Sequence, residues 1–146
     1  CLQDEYKEYQ KGYELGLLQY CNYDRGFKAG RRAHSANSNC ETHQMFDYLK
    51  GHKAGLMHHK LKNELADLER DLKNNRRKLE NINNEINTLE LIVIDSKSSE
   101  ALRKQTMDKI KQLQQEEQIL VVEQSKITGR LIEIKAALLS GQTGRH

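Results

Sequence analysis

The 146 residues include no proline, no tryptophan and only two phenylalanines. Hydrophobic residues make up 36% and aromatic residues 5%, where an ordinary globular domain carries roughly 45–50% apolar residues. Such a chain cannot bury a large compact core. Long apolar runs are lacking as well. The longest candidate, Leu89 to Asp95, is bounded by charge and falls far short of the roughly 20 residues that cross a bilayer, so a membrane-spanning helix is excluded. Charge of one sign is also scarce. With 24 Lys and Arg against 21 Asp and Glu, the net charge is +3, too small for the basic footprint of a nucleic-acid binder. The basic group Lys73, Arg76, Arg77 and Lys78 lies among asparagines and reads as a solvated helix face.

What is present favours helix throughout. Leu, Lys, Glu, Gln and Asn abound with no proline to interrupt them, and most of these are good helix formers. The expected class is all-α, with a small glycine-packed head over 1–55, a long antiparallel coiled-coil hairpin over 56–140 and a flexible tail over 141–146. The head carries a threefold repeat, Y-x-x-G-x-x-x-G, at Tyr9/Gly12/Gly16, Tyr23/Gly26/Gly30 and Tyr48/Gly51/Gly55. Glycines four apart share a helix face, with the tyrosine on the same stripe. Each costs roughly 1 kcal/mol relative to alanine in a helix, so six of them point to close approach of helix backbones. The repeat predicts three short helices packed through glycine faces with tyrosines covering the gaps; the competing reading makes the glycines turns or caps. A polar loop, Ser35 to Gln44, separates the second and third repeats.

Three cysteines, at 1, 21 and 40, leave one over after any single pairing. The start Cys1-Leu2-Gln3-Asp4 resembles the mature N-terminus of bacterial lipoproteins, whose first cysteine is acylated. That resemblance implies a lipid anchor at Cys1. With Leu2 rather than aspartate next, it also implies sorting to the outer membrane, with the body on the periplasmic face. In an oxidising compartment Cys21 and Cys40 form a natural pair, closing a loop of about 20 residues for about 3 kcal/mol in the chain-entropy model. A bond from Cys1 to either of them, or reduced thiols in the cytosol, are the alternatives.

The stretch from Tyr9 through Arg31, then Cys40, then Phe46 to Leu56 resembles a bacterial lipoprotein family catalogued as domain of unknown function 2799. The family shows Y-x-x-G-x-x-x-G-L-x-x-Y-C, a second G-x-x-x-G beside an aromatic residue, a second cysteine and a closing glycine helix. Glu41 stands where the family usually has proline. The resemblance implies a secreted, lipid-anchored, disulfide-bonded protein and no particular activity.

Beyond the head, Leu61, Leu65, Leu68, Leu72, Asn75, Leu79, Ile82, Ile86, Leu89 and Val93 alternate spacings of four and three, a heptad seam. A second seam runs Ile110, Leu113, Glu117, Leu120, Gln124, Ile127, Leu131, Ile134, Leu138. Between them lies Asp95 to Glu100, a turn whose Ser98 or Ser99 is the expected N-cap. Two arms of similar length around a short break predict an antiparallel hairpin. Folding at 97–98 pairs residues whose numbers sum to about 195, which sets Asn75 opposite Leu120, Glu117 opposite Leu79 and Gln124 opposite Leu72. These polar seam positions either specify register or mark where a third helix or a partner docks. Ile119, Val121, Val122, Leu91, Ile92 and Ile94 flank the seams, more apolar surface than two helices cover, so a partner protein or a second copy is expected there.

No phosphate loop, nucleophile elbow or zinc motif occurs. Five histidines cluster between His34 and His59 without metal-ligand spacing and read as boundary residues, so neither cofactor, metal site nor catalytic residues are expected. The reading is a non-enzymatic outer-membrane lipoprotein, a structural or adaptor subunit of an envelope assembly that engages its partner through the hairpin. The alternatives are a peptidoglycan- or other ligand-binding head on an oligomerising stalk, with Tyr9, Tyr13, Tyr20 and Tyr23 as contacts, and a cytosolic coiled-coil scaffold.

Overall fold

The computed structural model describes residues 2–143, with side chains to Gly141. Cys1 and the last three residues lie outside that range, and with them the expected acylation site and half of the expected tail. The described residues form five α-helices and no strand: α1 Leu2–Tyr20, α2 Tyr23–Arg31, α3 Ser38–Thr42, α4 Phe46–Ile94 and α5 Glu100–Thr143. No helix is long and apolar enough to cross a membrane. The chain divides into two compact units, one of Cys1–Glu64 with Ala137–His146 and one of Leu65–Ala136.

Three expectations need correction. The third glycine repeat is not a short helix of its own but the first turns of α4, which runs unbroken past residue 55. Nothing in 50–60 can stop it, because the chain offers no proline and Gly51 and Gly55 keep helical geometry. The loop at 35–44 contains a short helix, α3, started by Asn37, whose side-chain oxygen accepts from Asn39 N at 3.0 Å. At the other end, α5 continues through Gly141 to Thr143, so the expected tail begins as helix.

In the first unit, α2 is entered through Asn22, whose Oδ1 accepts from Arg25 N at 2.9 Å. It leaves through a Schellman turn: Ala33 N donates to Gly30 O, and His34 N donates to Ala29 O, with Ala33 in the left-handed region at φ 57°. α3 ends the same way, with Gln44 at φ 51° and Met45 N donating to Cys40 O at 3.0 Å. These bonds satisfy carbonyls that the helix ends leave open.

In the second unit, α4 and α5 form an antiparallel pair around the predicted seams. Ile86, Leu113, Ile127, Leu131 and Ile134 are buried, and their seam neighbours Leu65, Leu68, Leu72, Leu79 and Ile82 are half-buried. The turn is built by side chains. Ser99 Oγ accepts from Leu102 N at 3.1 Å and starts α5. Ser98 Oγ donates to Ile92 O at 2.7 Å, and Arg103 Nη2 donates to Asp95 O at 3.0 Å, which closes the last carbonyls of α4.

Candidate functional site

The head is organised by two devices that the glycines and cysteines of the sequence encode. The first is backbone-to-backbone packing of α2 on the opening turns of α4. A Cβ added to Gly26 would collide with the Tyr48 carbonyl and lie 2.9 Å from His52 N; one on Gly30 would collide with the His52 carbonyl. From the other side, a Cβ on Gly51 would strike the Tyr23 carbonyl, and one on Gly55 the Phe27 carbonyl. Each helix thus presents two glycines to the carbonyls of its neighbour, a separation that no other residue permits. This decides against reading these four glycines as turns or caps.

The first repeat behaves differently. Nothing lies within 4 Å of a Cβ built on Gly12 or Gly16, Tyr9 is 69% exposed, and α1 contains no buried residue. Two glycine faces satisfy each other and leave none for a third. α1 is held instead through half-buried Leu17 against the disulfide cluster and through Tyr13, whose ring meets His43 edge-on at 5.6 Å.

The second device is the disulfide Cys21–Cys40, with Cα atoms 5.5 Å apart. It joins the end of α1 to the middle of α3. Both cysteines are buried with Tyr48, and Leu17, Ala36, Met45 and Leu49 pack around them. Tyr48 is 3% exposed, and its Oη accepts from Asn37 N at 3.0 Å, so the third-repeat tyrosine fastens the loop that carries the second cysteine.

The histidines, expected only as boundary residues, take specific structural places. His52 Nε2 donates to His34 O at 2.7 Å, and His59 Nδ1 donates to Arg31 O at 3.1 Å. They tie α4 to the last residue of α2 and to the turn that follows it, and the carbonyl acceptors fix which ring nitrogen carries hydrogen. His58 is buried, its ring edge-on to Phe27 at 5.6 Å. Burial, then the charges of Lys62 and Arg31, lower its pKa from 6.5. Among the described residues no group of three or more His, Cys, Asp or Glu is placed to hold a metal ion. The spacing of His52 and His59, seven residues apart on α4, was the available signal, since residues i and i+7 share a helix face.

Residues 2–57 match the family described as protein of unknown function DUF2799. The matched segment contains all three repeats and both bonded cysteines, and so spans the head just described. No curated protein and no solved structure matches the chain.

Outside the matched segment, the polar seam residues differ among themselves. Asn75 is 4% exposed, while Glu117 and Gln124 are half-buried. Asn75 Nδ2 donates to Leu120 O at 3.2 Å, and its Oδ1 is buried without a partner among the described residues. Flanking the seam, Leu91, Ile94 and Met107 are 65%, 75% and 50% exposed, with Ile119 at 67% and Val122 at 55%. The first three, with Val93 and Ile110, line an open groove of about 710 Å³ between α4 and α5.

Proposed function

We propose that this protein is a non-enzymatic component of a bacterial cell envelope that binds another envelope protein through the α4–α5 pair. The observation that carries this reading is the groove beside the turn. Leu91, Ile94 and Met107 stand largely in solvent along its walls, and apolar surface gathered in one furrow between two helices fits the apolar face of a partner helix. The disulfide supports an oxidising compartment, since such bonds persist outside the cytosol. With Cys21 and Cys40 bonded to each other, Cys1 is the cysteine left for acylation. An acyl-anchored protein at the periplasmic face of the outer membrane is the placement that joins these points.

Two measurements test it. Intact mass of the protein from its native envelope should show acyl chains on Cys1 and the loss of two hydrogens for the disulfide; an unmodified chain with three free thiols would remove the placement. A photo-crosslinking residue at Ile94 should capture one discrete partner in cells, whereas the same residue at exposed Lys104 should not. If both positions capture alike, or if the purified chain alone sediments as a stable dimer that buries Ile94, the adaptor role fails.

A second reading rests on a separate observation. Tyr9, Tyr13 and Tyr20 are exposed, and a groove of about 520 Å³ runs past Gly12, Tyr13, Gly16 and Leu17. Exposed aromatic rings beside bare backbone suit a wall saccharide. Co-sedimentation with purified peptidoglycan, lost in a Tyr13→Ala, Tyr20→Ala double variant, would favour it.

A further inference from the structure

We infer that the head contains a phosphate-binding pocket formed by α2, the loop that follows it, and Tyr48. The cavity holds about 310 Å³, roughly ten water volumes. Its walls include Arg25 and Lys28 from α2, Arg32 from its C-cap, Tyr20 from the end of α1, Asn37 from the loop, and Tyr48. Arg25 and Lys28, three apart, share one side of α2, and Arg32 joins them from the C-cap. They put three positive charges on one small cavity, and no carboxylate lines it. Asp24, next to Arg25 in the chain, is outside the lining.

The ordinary explanation for basic residues near a helix end is the macrodipole, which favours cations in the last turn. That accounts for Lys28 and Arg31, which occupy the last turn of α2. It does not account for Arg25. Asn22 is the N-cap, so Arg25 stands three residues into the first turn, where the dipole opposes a cation. Among the described residues no carboxylate is ion-paired with it. Its guanidinium is held by the Tyr20 ring instead, with Cζ 4.4 Å from the ring centroid. Stacking restrains the plane of the group while its N–H edge stays available, the geometry that suits a bidentate oxyanion.

The floor of the pocket supplies an independent argument. Tyr48 is 3% exposed, and its Oη already accepts from Asn37 N. A phenol has one hydrogen to give, and the bond from Asn37 N does not use it. That hydroxyl lines the same depression as the three cations, so its hydrogen can be donated to an anion held there. Three cations and a neutral donor exceed what one carboxylate needs. They match a phosphate ester, with a charge of about −1.5 to −2 and three acceptor oxygens.

This site is independent of the role given to α4 and α5. The phosphate could belong to a free solute or to a lipid headgroup, and two arms of one experiment separate them. The full-length, disulfide-bonded chain is titrated with inorganic phosphate by calorimetry, and is co-sedimented with phosphatidylglycerol vesicles against phosphatidylcholine vesicles. Binding in either arm should weaken about tenfold or more in Arg25→Gln and in Arg32→Gln, as expected for loss of a charged hydrogen bond. Lys104→Gln, a change of equal charge on α5, should leave it unaltered. Tyr48→Phe should weaken binding too, and Arg25→Gln keeps the test decisive should Tyr48→Phe unfold the loop. Binding of phosphate alone identifies a solute. Binding of anionic vesicles that phosphate displaces identifies a headgroup. Absence of both, or equal weakening by Lys104→Gln, overturns the site.

Discussion

Asn75 Nδ2 donates to the carbonyl of Leu120 across the two long helices at 3.2 Å. The bond joins residues 45 apart in sequence at the point where both heptad seams turn polar. It ties the two helices at that level but is a poor stabiliser, because Asn75 Oδ1 is buried with nothing to accept from among the described residues. Polar seam residues commonly specify alignment at the expense of stability. Asn75→Leu should therefore raise the denaturant midpoint, by about 1 kcal/mol or more in unfolding free energy. It should also broaden the distribution of oligomeric species in sedimentation. A destabilised variant would show that the amide bond outweighs its unmet oxygen.

The glycines divide into two classes that single alanine substitutions will separate. Gly30→Ala and Gly51→Ala place a methyl against backbone that cannot turn aside, and overpacking of this kind costs about 1–3 kcal/mol or more. Gly12→Ala and Gly16→Ala meet open space and should stabilise α1 by up to about 1 kcal/mol each through helix propensity. Thermal melting of the four variants reads the contrast; four equal effects would dispose of the close-packed arrangement.

His58 makes the head sensitive to mild acid. Its folded-state pKa is lowered from 6.5, chiefly by burial, so the unfolded chain binds the proton more readily than the folded one. Stability from this group is then complete above about pH 6.5 and is lost as pH falls below that value. In His58→Leu, the loss of melting temperature between pH 7.5 and 5.5 should be smaller than in the unaltered protein. Identical losses would mean that the ring is hydrated in solution.

Ala33 and Gln44 occupy the left-handed caps of α2 and α3 at φ 57° and 51°. That conformation costs an L-residue about 1–2 kcal/mol, partly offset by the chain entropy that glycine loses on folding. Ala33→Gly and Gln44→Gly should each stabilise the head by about 0.5–1 kcal/mol in chemical denaturation. Lower midpoints would indicate that the Schellman turns do not hold in solution.

Much of this molecule was written in its local pattern. The absence of proline and the spacing of leucines and isoleucines specified two long helices, because a 3.5-residue apolar period allows only one way to bury its stripe. The serines after Asp95 mark the turn, and the arithmetic of an antiparallel fold alone places Asn75 against Leu120. Only the tertiary structure decided which glycines touch. Three identical repeats cannot all pair face to face: the glycines of α2 and α4 take each other, while the disulfide ties the end of α1 to α3 and leaves the first repeat open. The basic pocket was equally hidden, since Arg25, Tyr20 and Tyr48 converge only after the chain has turned back on itself. Periodicity encodes which side of a helix is buried, but a contact between elements depends on loop geometry that no single segment contains.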